Sequence, residues 1–278
     1  MASKKEIQEQ IIRAVEKVKE TNPLAGSITN TVTINFVANA QLAVGGSAAM
    51  VYLPDEGEGI AQASKAVYIN VGTLLPVYGE TVPRTAKFLH ESGKPWVLDP
   101  VAIGMGNLRT KLLKQIKEYK PSIIRGNASE IITLAGLWGL TGSAGQQRVR
   151  GVDTTDSVES AKAAATALAG WTGGAVAVSG KTDFITDGAA CALSYGGSPY
   201  LQMITGSGCS LGGVAAVYAS STSPFIAALT ATAVFNLAAS RAEKEANGPG
   251  TFQPLFLDEL HLATANDIAA NKFELEEA

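Results

Sequence analysis

Histidine and cysteine are scarce in this chain: His90, His261, Cys191 and Cys209 are the only four in 278 residues. No CxxC or HExxH spacing occurs, which excludes the common structural zinc sites. Charged residues are only 17% of the chain, and 22 basic against 25 acidic residues leave a net charge of −3. Proteins that coat nucleic acid or dock on anionic membranes carry a basic excess or stripe, and none is present here. No apolar stretch follows Met1-Ala2-Ser3-Lys4-Lys5-Glu6, so no signal peptide is expected. The most apolar run, Pro224 to Ala239, is broken by Thr230, Thr232 and Asn236 and falls short of the ~20 residues of a membrane span. A cytoplasmic protein with reduced cysteines is expected, with neither nucleic acid nor membrane as partner. The 29 glycines follow no Gly-X-Y period, and a 46% hydrophobic content predicts a packed core.

The length fits one large α/β core, so residues 1–278 are read as a single domain. Ser3 to Glu6 has the form of a capping box, and Ile7, Ile11, Val15 and Val18 follow at helical spacing until Asn22-Pro23. Phe36, Val37, Ala40 and Val44 predict a second helix, ended by Gly45-Gly46. Strands are expected at 48–53, 66–71, 96–98, 122–124 and 175–179, with helices near 81–92, 107–118, 127–135 and 156–170. Such alternation favours parallel strands joined by helical crossovers. Asp187-Gly188 predicts a hairpin turn between 182–186 and 190–194, and 200–204 is a further expected strand. From Cys209 onward the pattern is helical, with residues 225–240 apolar on most faces.

Three segments carry chemistry. Thr205-Gly206-Ser207-Gly208-Cys209-Ser210-Leu211-Gly212-Gly213 follows a predicted strand and opens a helix, where backbone N–H groups and the helix dipole favour an anion. It is neither a Walker A loop nor a Rossmann fingerprint; a glycine turn that packs a helix closely has the same spacing. Cys209 at that helix start is a candidate low-pKa thiol, or else a small buried hydrophobe. Asp99, Arg125 and Glu130 lie at or beyond the ends of predicted parallel strands, where ligands bind in open α/β sheets. Arg125 suits phosphate, and Asp99 with Glu130 suits Mg²⁺, although Asn127 and Glu130 equally suit a helix cap. Ser27-Ile28-Thr29-Asn30 is read as a polar break between two helices, with Thr29 or Asn30 as the cap.

Taken together, these segments resemble the hydroxyethylthiazole kinase family of the ribokinase-like superfamily. The matching stretches include Ser27-Ile28-Thr29-Asn30, Ser47-Ala48-Ala49-Met50, Asn70-Val71-Gly72-Thr73-Leu74, Leu98-Asp99-Pro100, Arg125-Gly126-Asn127-Ala128-Ser129-Glu130, Gly151-Val152-Asp153 and Thr205-Gly206-Ser207-Gly208-Cys209. The resemblance implies a three-layer α/β/α fold with a mostly parallel central sheet. It also implies ATP- and Mg²⁺-dependent phosphorylation of 4-methyl-5-(2-hydroxyethyl)thiazole at its primary alcohol, in thiamine salvage. A related kinase acting on another small heterocyclic alcohol is the alternative. By the same resemblance, Asn30, Val32, Met50 and Gly206 fall on the thiazole side, and Arg125, Ser179, Asn127 and Gly208 on the nucleotide side. Asp99 and Glu130 fall near the metal, and Cys209 faces the alcohol, where many ribokinase-like enzymes have an aspartate. The family is trimeric with interfacial sites. Gly26 stands where the family commonly has histidine, Ala48-Ala49 where it has proline, and Ser179 where threonine is commoner. The first two departures are expected on the thiazole side.

Overall fold

The protein is seen in a computed structural model that describes residues 2–141 and 157–277. The Gly151-Val152-Asp153 stretch lies outside the described residues. Helix α1 (Lys4–Thr21) opens with the expected capping box, in which Ser3 Oγ accepts from the Glu6 N–H and Glu6 Oε2 accepts from the Ser3 N–H at 2.7 Å. There follow β1 (Leu24–Ile28), α2 (Ile34–Ala43), β2 (Ser47–Met50), α3 (Pro54–Ala63), β3 (Ala66–Asn70), α4 (Tyr78–Glu91) and β4 (Trp96–Asp99). Next come α5 (Asn107–Gln115), β5 (Ile123–Asn127), α6 (Ala128–Leu137), α7 (Val158–Thr172) and β6 (Ala175–Ser179). A hairpin of β7 (Asp183–Thr186) and β8 (Ala190–Ser194) precedes α8 (Ser207–Ala219), α9 (Pro224–Glu245), α10 (Pro249–Leu262), α11 (Ala265–Ala270) and β9 (Phe273–Glu277).

All nine strands join one sheet in the order β2-β1-β3-β4-β5-β6-β7-β8-β9. The first six are parallel and the last three antiparallel. Strand side chains alternate between two cores, because successive residues point to opposite faces. Tyr68, Val97, Ile123, Ala175 and Ala177 pack with α1, α2, α8, α9 and α10 on one face. Val67, Ile69, Leu98, Ile124, Val176 and Val178 pack with α4 to α7 on the other. The result is the expected three-layer α/β/α arrangement with a mostly parallel sheet. Strand order reverses direction between β1 and β3, and their carboxyl ends therefore border a crevice, the usual ligand position in such sheets.

Several expectations require correction. Ser27 and Ile28 belong to a buried strand, β1, rather than to a break between helices, and Thr33 rather than Thr29 or Asn30 occupies the α2 N-cap position. Five residues with three small ones, Leu-Ala-Gly-Ser-Ile, carry little strand signal, and pairing on both sides with β2 and β3 supplies the preference. Residues 200–204 form no strand: Pro199–Gln202 is a 3₁₀ turn, with Ser198 Oγ accepting from the Tyr200 N–H at 3.1 Å. Helix α3 and strand β9 go unannounced by the sequence, α3 because it is rich in glycine and acid, β9 because alternate acidic residues mark an outer edge. Helix α9, at 22 residues, is long and apolar enough to cross a membrane by length and composition, contrary to expectation, yet 83% of its most apolar window is buried inside the fold.

Helix α8 approaches the sheet through glycine. A Cβ on Gly212 would lie 2.4 Å from the Tyr68 ring on β3, and one on Gly208 2.6 Å from the Arg125 guanidinium on β5. Small residues four apart thus let the N-terminus of α8 sit against the strand ends. Gly212→Ala is expected to destabilise the fold by about 1–3 kcal/mol through overpacking, more than the helix-propensity gain from alanine. Urea unfolding checks this; an unchanged or raised midpoint would contradict the close approach.

Candidate active site

Strand parity and register bring the polar residues together. Asn70 pairs with Asp99 across β3 and β4, and Asn127 pairs with Ser179 across β5 and β6. Asn70 shares the α8 face with Tyr68, two residues before it, and Asp99 shares that face with Val97. Arg125 extends the row from β5, and Asn30 reaches it from the end of β1. Helix α8 closes the row with Gly206, Gly208 and Cys209. Gly206, at φ +93°, begins the helix without a side-chain cap, so the first-turn N–H groups are left to a ligand.

At the centre is Asp99, fully buried at the end of β4. Its Oδ2 accepts from the Tyr68 hydroxyl at 2.9 Å and from Asn70 Nδ2 at 3.3 Å, and lies 3.5 Å from Arg125 Nη1. Its Oδ1 has no protein partner, and neither does the buried Nε of Arg125. Burial raises the Asp99 carboxyl from 3.8 to about 7; Arg125 works against that rise, and Glu130 adds to it. Burial raises Tyr68 too, so it remains a neutral donor. Arg125 stays cationic, since Asp99 and Glu130 more than offset the burial that disfavours its charge. Its Nη2 donates to Ser179 Oγ at 3.0 Å.

Cys209 is buried, and its Sγ accepts from Asn30 Nδ2 at 3.4 Å and Asn70 Nδ2 at 3.3 Å. The expectation of a low-pKa thiol fails here. Burial pushes the thiol above its ordinary value, Asp99 adds to that, and Thr33, Arg125 and Asn30 offset only part. The helix cap at Asn127 is present: Asn127 Oδ1 accepts from the Glu130 N–H and Glu130 Oε2 from the Asn127 N–H, both at 2.9 Å. Glu130 Oε1 accepts from the Ala102 N–H at 3.2 Å, so both oxygens already brace backbone.

Val32 and Met50 stand apart from this hydrogen-bonded group. Val32 is 64% exposed in the turn before α2, and Met50 ends the marginal strand β2, half-buried. Gly26 faces α3: a Cβ there would lie 2.4 Å from Ile60 and 2.8 Å from Ser64 Oγ, so a larger side chain at this position would require α3 to pack differently on β1. The sequence pattern does not single out Tyr68, Asn70 or the buried Asp183. Asp183 holds the β6–β7 turn by accepting from the Gly180 N–H at 2.9 Å and from Asn236 Nδ2 at 2.8 Å. Strand parity read from Asp99 would have pointed to Asn70 and Tyr68. Among the described residues, no group of three or more His, Cys, Asp or Glu could hold a metal.

Because Asp99 has a higher pKa folded than unfolded, its protonation stabilises the fold fully below pH 3.8. That stability is lost as pH rises through about 7. The unfolding free energy of the parent chain from urea titrations should therefore fall across this range, by on the order of 1–4 kcal/mol from Asp99. Asp99→Asn should make the decline shallower, the buried Asp183, also raised by burial, keeping its own share. Parallel pH profiles for the two proteins would refute the assignment.

The model of the hydroxyethylthiazole kinase family matches residues 15–266. A relative named hydroxyethylthiazole kinase, from Bifidobacterium longum subsp. infantis, is 49% identical over 96% of this chain and 90% of its own length. The solved structure of a hydroxyethylthiazole kinase protein from Pyrococcus horikoshii OT3 is 32% identical, with a TM-score of 0.85 over 97% of this chain and all of that one. A ribokinase-like superfamily protein from Enterococcus faecalis V583, 12% identical, shares the fold with a TM-score of 0.64 over 93% of this chain and 94% of its own. With its three-layer fold and a polar row at the strand switch, this chain belongs to the hydroxyethylthiazole kinase family.

Proposed function

We propose that this chain, as one kinase domain, transfers the terminal phosphoryl group of ATP to the primary alcohol of 4-methyl-5-(2-hydroxyethyl)thiazole, as in thiamine salvage. One observation carries the reading: an uncapped helix N-terminus, a buried guanidinium from β5 and a buried carboxylate from β4 with an unpaired oxygen converge on one face of the sheet. Phosphoryl transfer asks for charge neutralisation and in-line positioning, and little covalent chemistry from the protein. Arg125, together with the first N–H groups of α8, is suited to the negative charge of the transferring group. Gly208 keeps Arg125 and the helix start in contact, and Ser179 orients the guanidinium from the other side. Asn127 shapes the nucleotide side by capping α6.

The donor set fits Mg²⁺. A buried carboxylate with one oxygen unpaired and a carboxyl lifted to about 7 is short of positive charge, and a cation beside it would restore its ionised form. Asp99 would hold the ion, and Glu130, its oxygens already accepting from backbone, would contribute through water. When bound, Mg²⁺ supplies neutralisation of the phosphate oxygens. Cys209, protonated at neutral pH by its burial and the neighbouring Asp99, orients the acceptor alcohol, with Gly206 and Asn30 beside it. Val32, exposed in the turn before α2, and Met50, half-buried at the end of the edge strand β2, suit a thiazole pocket completed by another subunit. The proposed enzyme is a cytoplasmic homotrimer with interfacial sites; exposed Leu42 and Leu53 and the half-buried edge strand β2 suit burial against another subunit.

With ATP and Mg²⁺, ADP release is expected only when the thiazole alcohol is added. A panel of other heterocyclic alcohols supporting faster turnover would move the assignment to a different acceptor. Arg125→Ala is expected to lower kcat/KM for ATP by about 10²–10³-fold. Unchanged nucleotide kinetics in a folded Arg125→Ala protein would sink the role given to that residue. Sedimentation should show trimers; monomers with full activity would exclude sites shared between subunits.

A further inference from the structure

Asn70 is fully buried at the end of β3, and its side chain can point only one way. Its Oδ1 accepts from the Gly72 N–H at 2.8 Å, and a backbone N–H can only donate, so this contact fixes which end of the amide is oxygen. The same Oδ1 also accepts from Asn30 Nδ2 at 3.1 Å, joining the ends of β1 and β3 across the switch point. The Nδ2 end therefore faces inward, towards the Tyr68 hydroxyl at 2.7 Å, Asp99 Oδ2 at 3.3 Å and Cys209 Sγ at 3.3 Å. It has two hydrogens for three acceptors. The Tyr68 contact, the shortest, takes one, which leaves the second shared between the carboxylate and the sulfur. Asn30 divides its own pair between Asn70 Oδ1 and the same sulfur.

We propose that Asn70 is a positioning residue for the phosphoryl transfer: clamped by Gly72 and Asn30, it fixes the Cys209 sulfur against Asp99 and so sets where the acceptor alcohol sits. This rests on the function proposed above. Two donors aimed at one sulfur are a costly use of buried amides if that sulfur only fills space. Gly72 is part of the device, because a Cβ there would lie 2.8 Å from Asn70 Oδ1 and 2.9 Å from Asn30 Nδ2. The charged and titratable neighbours of the sulfur are Asp99 and Arg125, with Tyr68 behind them.

The test is a double-mutant cycle with a second readout on the thiol. Asn70→Ala is expected to lower kcat about 10–100-fold while KM for ATP stays within about 3-fold. In a Cys209→Ala background the same substitution should cost less than about 3-fold, because the group it positions is gone. Equal losses in both backgrounds, or a loss confined to KM for ATP, would overturn the proposal. Gly72→Ala, which displaces the amide without deleting it, should reproduce the kcat loss and serves if Asn70→Ala fails to fold. In Cys191→Ser protein, the pH midpoint of Cys209 alkylation by iodoacetamide should rise by about one pH unit on loss of the Asn70 donor. That midpoint does not depend on the identity of the acceptor. A shifted midpoint in a chain that never phosphorylates the thiazole would support the Asn70–Cys209 contact and reject the proposed function. An unshifted midpoint would reject the contact whatever the turnover.

Discussion

The buried carboxylate of Asp99 is the constraint around which this protein is arranged. A charge at the end of a central strand, with no water to solvate it, must be neutralised, paired or protonated. Here it is incompletely paired: one oxygen holds Tyr68, Asn70 and a long contact to Arg125, and the other holds nothing in the chain. Burial lifts the carboxyl to about 7, and the Arg125 charge offsets only part of that rise. A protein built for stability alone would place an apolar residue there. One that must gather a cation and phosphates benefits from a group whose charge is completed by its ligands.

The surrounding structure follows from that requirement. Parallel strands deliver their carboxyl ends to one edge of the sheet, and strand parity selects the face on which Asn70, Asp99 and Arg125 emerge. Helix α8 must then come close enough for its N-terminus to join them. Gly208 and Gly212 permit this, the first against Arg125 and the second against the Tyr68 ring. The glycines at the start of α8 therefore serve its close packing on the strands. The ends of β5 and β6 are braced separately, by the Asn127–Glu130 cap and by Asp183 under the β6–β7 turn.

Much of this was legible in the sequence, and the illegible parts share a cause. Capping boxes, the Asp187-Gly188 turn and the apolar run of α9 act locally, and each stands where the pattern places it. The strand end at Asp99 could be read because the apolar run stops there, whereas β5 continues past its apolar run through Arg125 to Asn127, held by pairing with β6. Strand β1 could not be read, since Leu24–Ile28 owes its conformation to neighbours on both sides rather than to its own propensity. Of the two readings open for Cys209, a low-pKa thiol or a small buried residue, the sequence could not choose for a similar reason: the helix start is local and visible, whereas the burial and the Asp99 charge that raise the thiol come from elsewhere in the chain. The close packing of α3 on β1 that Gly26 permits is likewise invisible locally, because Ile60 and Ser64 come from another element.

A crystal structure with hydroxyethylthiazole, Mg²⁺ and a non-hydrolysable ATP analogue would test the central claim most directly. The account predicts the terminal phosphate against the first turn of α8 and Arg125, the cation on Asp99, and the alcohol oxygen within about 3–3.5 Å of that phosphate beside Cys209. A thiazole bound away from the ends of β1 and β3, or a phosphate that leaves the α8 N-terminus and Arg125 untouched, would contradict it.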